Sequence, residues 1–133
     1  MNKQRGVTLI ELMIVIVVIG ILVAFAYPSY TKQVQRTKRA ECAGGLVQLA
    51  NAMERDFSQN NQYSDLGGGV VATCPTDGGT TTYNMRVQAN TATTYTLRAT
   101  PVGGQANDAC GYLELTNRGD KSAENGTRDT CWR

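Results

Sequence analysis

The chain has 133 residues, with 13 lysines and arginines, 11 aspartates and glutamates, and no histidine. The missing histidine removes the usual general base, the commonest metal ligand and every Ser-His or Cys-His nucleophile arrangement. Once Met1–Gly6 is set aside with Lys3 and Arg5, eleven basic residues face eleven acidic ones, so composition gives no bulk basic excess of the kind that marks nucleic-acid binders.

Met1–Gly6 is short, polar and basic, and an apolar run begins directly after it. In a secretory signal the small cleavage residue follows the apolar core, whereas here Gly6 precedes it. Val7–Tyr27 would extend about 31 Å as a helix, which matches the hydrocarbon thickness of a bilayer. Lys3 and Arg5 favour a cytoplasmic N-terminus, although Lys32, Arg36, Lys38 and Arg39 lie just beyond the other end. The one charge at the edge of the run is Glu11. A carboxylate in an apolar helix is disfavoured by roughly 2.5–3.5 kcal/mol near the bilayer centre and by less near its edge, so Glu11 needs a partner or a purpose.

The stretch Gly6-Val7-Thr8-Leu9-Ile10-Glu11, with the apolar run behind it, resembles the processing site of type IV prepilins, and the six-residue leader resembles the IVa subclass. The resemblance implies that a prepilin peptidase cuts between Gly6 and Val7. It also implies that Val7 becomes an N-methylated N-terminus and that Glu11, the fifth mature residue, steers filament assembly. The physical role of Glu11 can be stated separately. An ion pair with the Val7 amine of a neighbouring subunit is strong in a low dielectric and a mispaired carboxylate is costly, so the charge selects the axial register while apolar burial supplies cohesion.

Gly20 lowers helix propensity and Pro28 lacks the donor of the i to i−4 bond, which predicts a kink or local unwinding between them. In the pilin family this stretch loses helical order as subunits pack. Beyond Pro28 the pattern is amphipathic, with Val34, Leu46, Leu49, Ala50, Met53 and Phe57 close to one helical face and Gly44 and Gly45 weakening the middle. The helix is expected to end at about residue 58, followed by a loop over 59–80. Three strands alternate apolar and polar residues: Thr81–Gln88, Thr93–Thr100 and Gly111–Thr116. Short turn-rich connections predict an antiparallel sheet of three or four strands over 81–116, laid across the second half of the helix. The tail Asn117–Arg133 is polar and would be disordered without a disulfide.

Cys42, Cys74, Cys110 and Cys131 form no CxxC pair, which excludes the usual zinc spacing and favours two disulfides in an oxidising compartment. Four cysteines allow three connectivities and the sequence does not choose among them. The pairing expected here is Cys110 with Cys131 and Cys42 with Cys74. Cys110-Gly111-Tyr112-Leu113-Glu114-Leu115, with Gly119, Lys121 and Cys131-Trp132, resembles the disulfide-bounded C-terminal loop of pilins, most of all PilE-type minor pilins.

The resemblance implies an α+β pilin fold, with a leader at 1–6, an apolar transmembrane and assembly helix at 7–30, and a globular domain at 31–133 closed by a loop over 110–131. It implies a structural subunit of a type IV pilus, of the minor class, anchored in the inner membrane with a periplasmic domain and later part of an extracellular fibre. Motility, adhesion and DNA uptake would be properties of that fibre. Its partners would be other pilin subunits, the prepilin peptidase and inner-membrane lipid. No catalytic, cofactor or metal site is assigned. Rival readings are a type II secretion pseudopilin and a DNA-receptor pilin, the latter needing Arg86, Arg98, Arg118, Lys121 and Arg128 to be gathered by the fold. Lys32, Arg36, Lys38 and Arg39 would meet anionic headgroups or acidic groups of adjacent subunits. The tripeptide Asn125-Gly126-Thr127 is assigned no role.

Overall fold

The computed structural model of the chain describes residues 6–133, so Met1–Arg5 of the expected leader lie outside it. Two compact units are present, one ending at Val34 and the other covering Gln35–Arg133. Helix α1, Leu9–Asn60, contributes to both. In the first unit every large apolar side chain of α1 up to Tyr30 is exposed, from Leu9 and Ile10 through Phe25 and Tyr27. A window of mean hydropathy 3.1 in this helix is long and apolar enough to cross a membrane.

The local unwinding expected between Gly20 and Pro28 is absent in the isolated chain, where α1 is helical throughout with Pro28 inside it. Proline deletes one amide donor, and the hydrogen bonds on either side of that gap are enough to carry the helix on. Thr31 Oγ1 adds a donor to the Pro28 carbonyl at 3.1 Å.

In the second unit five strands form an antiparallel meander in chain order: β1 Ala72–Cys74, β2 Tyr83–Asn90, β3 Tyr95–Pro101, β4 Leu113–Thr116 and β5 Lys121–Ala123. The alternation that predicts the three longer strands also fixes their inner face. Tyr83 and Met85 on β2, Tyr95, Leu97 and Ala99 on β3, and Leu113 and Leu115 on β4 are buried in one core with Cys42, Leu46, Leu49 and Met53 of α1. The sheet therefore has two strands more than the three read from alternation. β1 lies inside the segment expected as a loop, and β5 inside the polar tail. Both have only three residues, too short for periodicity to register, and both are set by a neighbour: β1 pairs with Tyr83–Met85 and β5 with Leu113–Leu115. The helix runs two residues past its expected end. Its exit is fastened by Asp56, which accepts from Ser64 N at 3.0 Å, Ser64 Oγ at 2.7 Å and Asn60 Nδ2 at 2.7 Å.

Gly45, read from sequence as a weak point, is a packing residue. A Cβ there would stand 3.2 Å from Cys74 Sγ and 3.2 Å from Met85 Cε, so glycine lets the helix approach β1 and β2 closely. Disulfides join Cys42 to Cys74 and Cys110 to Cys131. The first ties α1 to β1. The second links the start of the β4 segment to helix α2, Arg128–Cys131, near the end of the chain. In the chain-entropy description each loop of this size is worth about 3–4 kcal/mol.

Candidate functional site

At the head of α1, Gly6, Val7 and Thr8 are exposed and lead into the helix at Leu9. Thr8 occupies the N-cap position and Glu11 the third helical position, and the two close a capping box. Thr8 N donates to Glu11 Oε2 at 2.8 Å and Thr8 Oγ1 donates to the same oxygen at 2.7 Å, while Glu11 N donates to Thr8 Oγ1 at 3.3 Å. The signal was present in the sequence as Thr-x-x-Glu before an apolar run. Glu11 therefore has a local partner in the single chain, four residues from Val7.

In the second unit, Arg39 is 5% exposed, so it is not one of the exposed membrane-edge cations with which the sequence groups it. Its Nη1 pairs with Asp108 Oδ1, and Tyr83 donates its hydroxyl to Asp108 Oδ2. Gln105 Nε2 donates to the Gln35 carbonyl at 3.0 Å, to Tyr83 Oη at 3.2 Å and to Asp108 Oδ2 at 3.2 Å. This knot fastens α1 to the 3-10 turn Gly103–Gln105 and the residues just after it. Burial, and then the neighbouring Asp108 carboxylate, push the Tyr83 hydroxyl far above the ordinary phenol range. Arg39 Nε is buried without an acceptor among the described residues, an arrangement that costs about 1–3 kcal/mol when nothing fills the gap. Arg39 is in helical step with Cys42, Leu46, Leu49 and Met53, which was the available sign that it faces inward.

The five cations proposed for a stripe are only partly gathered. Arg86 and Arg98 are directly opposed across β2 and β3, and Arg98 faces Glu114, which faces Ser122. Arg98 is held by Glu114 Oε1, with Nε at 2.9 Å and Nη2 at 2.7 Å, and it lies 4.0 Å from the centroid of the Tyr112 ring. Its charge is largely answered. Arg86 is exposed and, among the described residues, has no ion-pair partner. Lys121 stacks over Trp132 at 5.2 Å, and Trp132 Nε1 donates to the Ser122 carbonyl at 2.8 Å, so this cation belongs to the disulfide-closed end of the chain. Arg118 and Arg128 are exposed, in the β4–β5 turn and on α2. No group of three or more His, Cys, Asp or Glu converges among the described residues.

Residues 28–114 match the family model described as type IV minor pilin ComP, DNA uptake sequence receptor, and residues 1–27 match the prokaryotic N-terminal methylation motif. Fimbrial protein Q of Moraxella bovis is 35% identical over 133 residues, covering 91% of this chain and 74% of that protein. The type IV major pilin PilA of Myxococcus xanthus is 45% identical over 64 residues, 48% of this chain but only 29% of that protein, so the likeness there spans less than a third of the relative. Among solved structures, the non-core minor pilin PilV of Neisseria meningitidis superposes with a TM-score of 0.55 at 18% identity, covering 71% of this chain and 91% of that one. A type IV pilin from Shewanella oneidensis gives 0.53 at 24% identity, covering 74% and 98%. These two share the fold of a long helix with an antiparallel sheet. On the family match and the Moraxella relative, this chain belongs to the type IV pilin family.

Proposed function

We propose that the chain is a structural subunit of a type IV pilus, of the minor class, cut after Gly6, N-methylated at Val7 and polymerised through α1. The observation that carries this reading is the exposed apolar first part of α1, headed by Glu11. So much apolar surface requires a bilayer or other helices around it. Before assembly the helix sits in the inner membrane with the N-terminus cytoplasmic and the second unit periplasmic; afterwards it packs among neighbours in the extracellular fibre.

Thr8 is the partner of Glu11 in the single chain. In the fibre a neighbouring Val7 amine offers a full positive charge in a low dielectric in place of a neutral amide and hydroxyl, so Glu11 holds the helix start in the monomer and the register in the polymer. Under this reading Gly20–Pro28 is helical before assembly and loosens during packing. Glu11→Ala should leave membrane insertion intact and sharply reduce incorporation into filaments; unchanged assembly would remove the register role.

A second reading, contact with duplex DNA, is favoured by the description of the family model over residues 28–114 and by the exposed Arg86 beside the Arg98–Glu114 pair. A contribution of Arg86 to phosphate binding predicts that Arg86→Gln weakens binding of the full chain to duplex DNA and lowers the salt slope by about one. Salt-independent binding would exclude it.

A further inference from the structure

In the first unit the apolar run and the helix do not start together. The run begins at Val7, but Gly6, Val7 and Thr8 precede the helix, which starts at Leu9. Backbone outside a helix has unpaired amides that hydrocarbon excludes, so the buried span begins no earlier than Leu9. Glu11 moves that boundary the same way. A span centred on Val7–Tyr27 has its midplane at Val17, which places Glu11 about 9 Å from the middle of a hydrocarbon core about 30 Å thick, and so about 6 Å inside its edge. At the other end Tyr27 and Tyr30 are exposed, at 67% and 69%, and neither hydroxyl has a hydrogen-bond partner among the described residues. Three positions apart, the two rings are neighbours on one helix face. A phenol prefers the edge of a bilayer, with its ring among acyl chains and its hydroxyl among headgroups. Glu11 and Tyr30 are nineteen positions apart, about 29 Å of helix, which fits the hydrocarbon core. Lys32 is exposed and follows two positions further out, where its ammonium reaches the phosphates.

We propose that Tyr27 and Tyr30 dock in a phospholipid headgroup layer and set the depth of α1, so that the membrane span runs from Glu11 to Tyr30 with Gly20 and Ile21 at the midplane. The inference rests on the membrane stage of the pilus reading and adds to it the anchoring residues and the register. The two ends of the span resist opposite slides. Movement in one direction drags Glu11 and the non-helical residues before it into hydrocarbon, and movement in the other sinks the two phenols and then Lys32. Tilting shortens the projected span and cannot bring both ends outside the core, so the depth is set by these side chains.

The test is nuclear magnetic resonance of the full isotope-labelled chain in phosphatidylcholine nanodiscs, with added lipid carrying a nitroxide either at the acyl end or on the headgroup. The acyl-end label should broaden the amides of Gly20 and Ile21 most, and the headgroup label those of Glu11 and Tyr30. Leucine has no headgroup preference, so Tyr27→Leu with Tyr30→Leu should move the acyl-end maximum about one turn toward Pro28, while Phe25→Leu leaves it in place. A maximum at Val17 in the native chain would overturn the register. A maximum that the double variant leaves unmoved, or that Phe25→Leu moves as far, would overturn the anchoring role of the phenols. Acyl-end broadening without headgroup broadening at Tyr27 and Tyr30 would assign the two rings to a neighbouring helix and would also overturn it. No broadening by either label between Leu9 and Tyr30 would contradict the membrane stage itself.

Discussion

Replacing Asp108 with asparagine tests whether the buried knot holds the globular unit together. The Asp108 side chain is 1% exposed and accepts from Arg39, Tyr83, Gln105 Nε2 and Cys110 N, the last at 3.3 Å. An asparagine keeps one acceptor oxygen and turns the other position into a donor, so either Arg39 or the Tyr83 and Gln105 pair meets a donor head-on. It also leaves the Arg39 charge buried without a counter-ion, and breaking a buried pair in this way costs about 3–5 kcal/mol. With a urea m-value of about 1.5 kcal/mol/M, the midpoint should fall by about 2 M or more. Trp132 is the single tryptophan of the chain, and its fluorescence during urea unfolding of the full chain in detergent reports the transition. The double variant Arg39→Met with Asp108→Leu removes both charges and should recover much of the loss, since apolar replacements of a buried pair are often neutral. A midpoint shift under 0.5 M for Asp108→Asn, or a double variant as unstable as the two single losses added together, would refute the coupling.

Neighbouring glycines of α1 should respond with opposite sign. Gly44 has open space around it, so Gly44→Ala should gain about 0.5–1 kcal/mol of stability from helix propensity. Gly45→Val forces branched carbon into Cys74 and Met85 and should lose about 1–3 kcal/mol by urea unfolding; equal effects at the two positions would contradict the close approach. On the alkaline side, Tyr83 and Tyr95 stay neutral in the fold, Tyr83 through burial and Asp108, Tyr95 through burial and Glu54, to a higher pH than in the unfolded chain. The unfolded state therefore binds fewer protons above pH about 10, and stability that is fully present below that pH falls as pH rises past it. Tyr83→Phe with Tyr95→Phe should flatten that decline in a series of urea midpoints, and an unchanged slope would exclude these two groups as its cause.

What could be read in advance follows the range of the forces involved. The amphipathic spacing of Leu46, Leu49 and Met53, and the alternation of Tyr83 with Met85 and of Leu113 with Leu115, are local patterns tied to one burial face each, and the structure buries those residues, whereas the unbroken apolar run names no inward face and stays exposed in the single chain. Ala72–Cys74 and Lys121–Ala123 are strands because of what lies beside them, so their own three residues carried no period. Arg39 and Asp108 are separated by 69 positions, and pairing at that range leaves no mark in either neighbourhood beyond the helical step of Arg39 with the apolar face. The Thr8–Glu11 box is the opposite case. Its Thr-x-x-Glu spacing is local and legible, and it gives Glu11 a hydroxyl partner three residues away before any neighbouring subunit is present. The Gly20–Pro28 expectation shows a further limit, since what that stretch does among packed neighbours is not encoded in an isolated helix.

Intact-mass and peptide-level mass spectrometry of this chain from surface filaments sheared off its native host would decide whether it is a pilus subunit. A pilus subunit should be present in those filaments, begin at an N-methylated Val7 and retain the Cys42–Cys74 and Cys110–Cys131 bridges. A chain that still begins at Met1, or that is found only in the membrane and never in the filaments, would contradict it.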